Sequence, residues 1–387
     1  MRIAMLGLRA IPLGEGGGGV ERHVEELAER LVKRGHTVFV YVRSYAMPKH
    51  APRRWRGMHL IRLPTIRTKH LETIVHTLVA SLHVLFVRVH VVHYHGVGPA
   101  TLAWIPRMFK PWARTIVTFH SIDRFHQKWG RIARAYLTYG EWAATHYPHQ
   151  TIVVSHSIQV YVHRRFGRPA CYIPNGVEIR TVRETDELEN FHLKKHNYIL
   201  TVARLVKHKG IHYLLQAFRG IETEKKLVIV GAPSFTEDYA EYLARLAADD
   251  PRVMFTGFQS GEALAELFAH AYLYVHPSEF EGLSLTILEA MSYGTCVLIS
   301  NIPENLEAID HVGFSFATRD VRDLRKKLVD LLAHPELVSA RGKRCREFVR
   351  TDFNWDRIVD RTEEVYRTGH SVPAKKKSAK RQGRSTH

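Results

Sequence analysis

A doubly wound α/β protein of two domains facing a cleft is the architecture this sequence predicts, and three observations predict it. Short apolar runs alternate with amphipathic segments along nearly all of the chain. The alternation breaks once, in a polar stretch near the middle, and then restarts. The 387 residues also exceed the span that one hydrophobic core usually fills.

Taken in order, Arg2–Leu8 (RIAMLGL) reads as a buried strand, followed by a glycine loop and a helix over Val20–Lys33. Val24, Leu27, Ala28 and Leu31 line one face of that helix, and Gly35 stops it. Strands follow at Thr37–Val42, Leu60–Leu63, Val89–Tyr94, Thr115–Phe119 and Thr151–Val154. The stretch from Ile74 to Val92 is nearly long enough to span a bilayer. It carries His76, His83, Arg88 and His90, so a buried helix running into a strand is predicted instead. A Pro-Asn-Gly turn in YIPNGVE (Tyr172–Glu178) ends the first series. The second series has strands at Tyr198–Val202, Lys226–Val230, Val253–Thr256, Leu273–His276 and Thr295–Ser300. Helices are expected at Ile211–Phe218, Tyr239–Ala248, Glu262–Ala269, Ser284–Tyr293, Arg322–Leu332 and Trp355–Arg367. Such alternation implies mostly parallel sheets covered on both faces. The expected division is residues 1–178, residues 179–350, a C-terminal helix (351–369) packing back toward the first domain, and a disordered basic tail (370–387).

Charge separates the halves. Residues 1–180 hold 26 Lys and Arg against 9 Asp and Glu, and the remainder hold 30 against 29, within a net charge of +18. A basic first domain attracts phosphate-bearing partners. Dispersed charge with no recognised nucleic-acid motif argues against nucleic acid as that partner. Three scattered cysteines suit reduced thiols, and the N-terminal apolar run is too short for a secretory signal, so a cytoplasmic location is expected.

The most informative segment is HPSEFEGLSLTILEAMSYG (His276–Gly294). A strand ends at His276, a loop holds Glu281 and Gly282, and a helix begins with Ser284 as candidate N-cap. The free amides of Leu283, Ser284 and Leu285 would then form an anion site at the helix tip, which Gly282 lets a ligand approach. Glu281 precedes the helix, and Glu289 lies within it in an apolar run where a solvated carboxylate is unexpected. Two ordinary surface glutamates are the competing explanation. In ARLVKHKG (Ala203–Gly210), Arg204 and Lys209 occupy a strand-to-helix loop and can converge on one dianionic group.

These segments resemble retaining glycosyltransferase family 4 (glycosyl transferases group 1), of the GT-B fold with two Rossmann-like domains. EFEGLSLTILEAMSYG is similar to its E-x7-E signature, with Glu281 and Glu289 as the acids, and ARLVKHKG to its R-L-x3-K-G element. The resemblance implies that Glu281 contacts the donor sugar and Glu289 the ribose, and that the intervening amides, Arg204 and Lys209 hold the diphosphate. It also implies base-binding turns at Gly231 and at Gly257-Phe258. The family's Gly-x-Gly is here Gly231-Ala232-Pro233. GGVERH resembles the first glycine loop, placing Gly18-Gly19 against the donor phosphates. VTFHSID resembles T-x-H-x-x-D, with His120 on the transferring sugar.

Gly14, Gly16 and Gly19 also satisfy G-x-G-x-x-G, but Thr37–Lys49 holds Arg43 and no acid for a dinucleotide ribose, so NAD is rejected. His93 and His95 flank Tyr94 on one strand without a third ligand in evidence, so no metal is expected. No cofactor is called for. The donor is expected to be a nucleoside diphosphate sugar, the acceptor a glycan or polyprenyl-diphosphate-linked sugar. Trp55, Trp104, Trp112 and Trp129 among the basic residues suggest an anionic membrane surface as a further partner, at the inner face of the cell membrane. A sugar-nucleotide epimerase on the same architecture and a basic nucleic-acid-binding protein stand as the alternatives.

Overall fold

The computed structural model describes residues 1–12, 18–48, 50, 52–68, 71–122, 124, 130–233 and 236–369. Gly14, Gly16, Asp123, Trp129 and the basic tail lie outside them.

The first sheet contains β1 (Arg2–Leu6), β2 (Thr37–Arg43), β3 (Arg54–Trp55), β4 (Met58–Leu63), β5 (Val91–His95), β6 (Arg114–Phe119), β7 (Gln150–Val153) and β8 (Cys171–Tyr172). Their order is β3-β4-β2-β1-β5-β6-β7-β8, parallel apart from the β3–β4 hairpin. Alternation along β1 shows how both faces are covered. Ile3 and Met5 pack with Val24 and Leu27 of helix Gly19–Lys33 and with Ile358 and Tyr366 of helix Trp355–Thr368. Ala4 and Leu6 turn the other way, onto Ala80 and Val84 of helix Glu72–Phe86.

The second sheet contains β9 (Tyr198–Val202), β10 (Lys226–Val230), β11 (Val253–Gly257), β12 (Leu273–His276), β13 (Val297–Ser300) and β14 (Phe314–Phe316). It is wholly parallel, in the order β11-β10-β9-β12-β13-β14. Ile199 packs with Leu214, Phe218 and Leu324 on one face, while Leu200 joins Leu267, Ile287 and Met291 on the other.

These are the two Rossmann-like sheets of the GT-B fold. Several elements differ from expectation. Helix Pro335–Asp352, helix Pro303–Ile309 and strands β3, β8 and β14 were not anticipated. The helix drawn from the Ile74–Val92 stretch is not fully buried, because Leu78, Leu82 and Phe86 stand exposed along one ridge. No helix among the described residues is long and apolar enough to cross a membrane.

The final helix crosses back onto the first sheet. Arg34 Nη1 reaches Asp360 at 2.5 Å, His36 Nε2 lies 2.6 Å from Glu363, and the Tyr366 hydroxyl lies 2.7 Å from His93 Nδ1. At the domain junction, Glu307 accepts the amides of His156 and Ser157 at 2.7 and 3.2 Å, capping helix His156–Phe166 from the other half of the molecule.

Candidate functional site

In an open parallel sheet, ligands collect beyond the carboxyl ends of the strands where strand order reverses. In the second sheet that point lies between β9 and β12, and in the first between β1 and β5. Both sets of singled-out residues fall there. Arg204 and Lys209 follow β9, and Glu281 follows β12. The Gly18-Gly19 loop follows β1, His95 ends β5 and His120 follows β6.

Lys209 Nζ lies 2.5 Å from Glu281 Oε1, and His276 Nε2 lies 2.7 Å from the same oxygen. Tyr274 supports the histidine from behind, its hydroxyl 3.1 Å from Nδ1 and 2.8 Å from Thr286 Oγ1. Burial pushes the Glu281 carboxyl up, but the Lys209 ammonium and the His276 ring outweigh it and hold it well below the usual carboxylate range. Arg204 is half-buried, and its guanidinium has no hydrogen-bond or ion-pair partner among the described residues. A cation held at a cleft and left uncommitted is what an incoming dianion needs.

Helix Leu285–Ser292 starts at Ser284, whose backbone is extended but whose hydroxyl makes no capping bond. It turns instead to Thr286 Oγ1, 3.1 Å away. The amides of Leu283, Ser284 and Leu285 therefore remain without an acceptor among the described residues. The macrodipole adds to their pull on an anion. Glu289, on the second turn, is half-buried, and its Oε1 stands 3.7 Å from Arg22 Nε of the first domain. Burial raises the Glu289 carboxyl above its ordinary value, against the pull of Arg22.

The two halves meet tightly at this loop. A Cβ on Gly19 would lie 3.6 Å from Leu285 Cδ1, and Asn175 Nδ2 donates to the Leu283 carbonyl at 3.0 Å. Gly18 donates its amide to Glu21 Oε2 at 3.0 Å, which orients the loop at the helix start. At Gly282 a Cβ would fall 1.6 Å from the His120 carbonyl oxygen, which no side chain tolerates. Gly282→Ala is therefore expected to hold the domains apart with each still folded. A reaction that draws groups from both halves should slow about a hundredfold, as misplacement of reacting groups by an ångström does. Kinetics together with a larger radius of gyration in small-angle scattering check this, and an unchanged rate would refute it.

Gly231 has φ +142°, donates to the Gly257 carbonyl at 2.8 Å, and would drive a Cβ to 1.9 Å from the Ala203 carbonyl. Phe258 follows directly, half-buried at the edge of the sheet.

His120 is buried at the cleft end of β6, with its Nε2 3.2 Å from His95 Nδ1. The absence of a metal was expected because no third ligand was evident, and here the structure adds one. His23 packs edge-on to His120 at 5.1 Å, and ligand atoms of His23, His95 and His120 lie within 4.8 Å of one another. His93 is not of this set, since its two ring nitrogens are 2.7 Å from Tyr366 and from Thr118. Burial lowers all three cluster histidines, His23 to about 4 and the other two well below their ordinary value, so they are neutral imidazoles. Such a set can bind sugar hydroxyls or hold a divalent transition metal.

Two doubly wound domains facing one another, with uncommitted amides and cations at the carboxyl ends of their strands, define the class of fold. Two family models match in tandem, Glycosyltransferase Family 4 over residues 17–181 and Glycosyl transferases group 1 over residues 182–348. The chain belongs to the GT-B glycosyltransferases. It is 29% identical over 377 residues to an uncharacterised glycosyltransferase of Methanocaldococcus jannaschii, covering 90% of this chain and 94% of that one. Sucrose-phosphate synthase from Thermosynechococcus elongatus superposes with a TM-score of 0.79 at 23% identity, over 95% of this chain and 98% of that one. HepE of Anabaena in complex with UDP and glucose superposes with a TM-score of 0.79 at 17% identity, over 94% and 99%.

Proposed function

We propose that the protein transfers a hexosyl unit from a nucleoside diphosphate sugar to a glycan or polyprenyl-diphosphate-linked acceptor, with retention of anomeric configuration and without a cofactor or metal. The observation that carries this reading is the pocket at the tip of helix Leu285–Ser292. There Lys209 pairs with Glu281, three amides lack an acceptor among the described residues, and the uncommitted Arg204 follows the neighbouring strand β9. UDP in the HepE complex supports a nucleoside diphosphate as the ligand.

In this reading Arg204, Lys209 and the 283–285 amides stabilise the charge that develops on the leaving diphosphate. Glu281 receives a hydroxyl of the donor sugar, and Glu289 the ribose diol farther along the ligand. His120 meets the transferring sugar from the first domain. The acceptor hydroxyl, positioned on the same face, loses its proton to the leaving phosphate as the new glycosidic bond forms. Acceptor delivery at the inner face of a membrane suits the basic first domain.

Calorimetry with uridine, guanosine and adenosine diphosphates tests the pocket, and a panel of nucleotide sugars, read as free diphosphate with and without acceptor, separates transfer from epimerisation. Glu289→Ala is expected to weaken binding of the preferred diphosphate roughly tenfold to a hundredfold, the worth of one hydrogen bond to a charged group. Heat with none of the three diphosphates would remove the reading.

A further inference from the structure

We infer that the face of the first domain carrying helix Glu72–Phe86 docks on an anionic lipid surface. The inference takes its purpose from the lipid-linked acceptor proposed above, although docking itself is separable from transfer. The helix begins at the cleft rim, where Glu72 pairs with Arg43 at the end of β2, and runs about 22 Å to the opposite pole. Leu78, Leu82 and Phe86 recur every fourth residue along it and stand exposed, Phe86 at 89%. At the pole they meet a second apolar group. Lys110 Nζ donates to the Leu85 carbonyl at 2.9 Å and sits 5.2 Å from the Trp112 ring, which joins Trp112 (71% exposed) and Met108 (64%) to Phe86. Exposed large apolar side chains grouped in this way mark an interaction surface.

Charge selects the occupant. Residues 73–140 hold eight Lys and Arg and one acid, Asp123, and Arg88 and Arg107 beside the apolar tip are exposed. A second copy would set like charge against like. Nucleic acid would gain nothing from an apolar tip that bears few hydrogen-bonding groups. An anionic leaflet satisfies both features, taking the apolar chains below its headgroups and the cations among them. Each basic residue near such a leaflet raises partitioning roughly fivefold. Trp55 does not belong to this face. It donates to Glu25 at 2.8 Å, on helix Gly19–Lys33 across the sheet.

The full chain is tested by co-sedimentation with vesicles of phosphatidylcholine alone and of equimolar phosphatidylcholine and phosphatidylglycerol. Binding is expected to the anionic vesicles at low salt, to weaken at high salt, and to be absent from the neutral ones. The double substitution Phe86→Ser with Trp112→Ser should lower binding at least about tenfold, with the melting temperature and diphosphate binding unchanged. No binding to anionic vesicles at low salt overturns the inference even if diphosphate binding is intact. Equal binding by the substituted protein, which keeps the basic residues from Lys375 onward, places the docking elsewhere and also overturns it. So does a dimer in light scattering that the substitutions dissociate.

Discussion

Replacing Lys209 by methionine is expected to lower the rate of transfer by about a hundredfold to a thousandfold, the usual effect of deleting one donor to a developing anion. The ammonium has two roles that the substitution removes together. It faces the proposed diphosphate pocket, and it is the main counter-charge of Glu281, at 2.5 Å with side chains only 15% and 10% exposed. Without it, Glu281 retains only His276 at 2.7 Å, and a carboxylate hidden from water must take up a proton or draw one onto the imidazole. Breaking one partner from a buried pair costs about 3–5 kcal/mol, so a lowered melting temperature is expected alongside the lost rate. Adding Glu281→Gln removes the stranded charge. The double variant should therefore regain stability and remain inactive, because the diphosphate still lacks its cation. Thermal melting and initial-rate kinetics on the single and double variants separate the two roles. An active Lys209→Met protein would refute the assignment, as would activity recovered by the double variant.

The pocket's parts were legible one by one, but their pairing was not. Arg204, Lys209, Glu281 and Glu289 stand in two short segments whose residue types announce anion chemistry. The sequence does not say that Lys209 and Glu281 share a hydrogen bond, because they meet only where β9 and β12 become neighbours. Strands Tyr198–Val202, Lys226–Val230 and Leu273–His276 and helix Ile211–Phe218 fall at their expected bounds. Lys226–Val230 is a buried apolar run closed by Gly231, and Ile211–Phe218 one closed by Arg219, so burial itself writes the boundary. Helix Pro335–Asp352 was missed for the opposite reason. Its buried stripe is only Val338, Gly342, Cys345 and Val349 across 18 residues, and the rest is polar. The exposed ridge at Leu78, Leu82 and Phe86 escaped notice because that helix is apolar on nearly every side. His23 joined His95 and His120 through topology. Each follows or ends one of three adjacent strands, β1, β5 and β6, so knowledge of strand order would have brought them together.

That histidine cluster, with His93 packed against His95, makes the fold sensitive to acid. Burial lowers His23 to about 4 and His93 to about 3, and it lowers His95 and His120 well below their ordinary value. In the unfolded chain all four titrate near their unperturbed value, about 6.5. Between that pH and about 4 the unfolded state binds protons that the folded state refuses, so stability falls as pH falls, and above about 6.5 the contribution is full and flat. Each imidazole that titrates only in the unfolded chain adds roughly 1.4 kcal/mol per pH unit to the slope. Glu281 acts lower on the scale. Its carboxyl, held down by Lys209 and His276, withdraws its contribution only as pH drops below the ordinary glutamate range. Urea unfolding followed from pH 7.5 to 5 should show the slope, and His23→Gln should reduce it by one proton's worth, since glutamine does not titrate. A flat profile over that window would mean that the four rings are hydrated or charged in the native state, contrary to their burial. Because the folded state keeps His120 neutral over this window, its proposed contact with the sugar persists, and transfer activity per folded molecule should hold while stability declines.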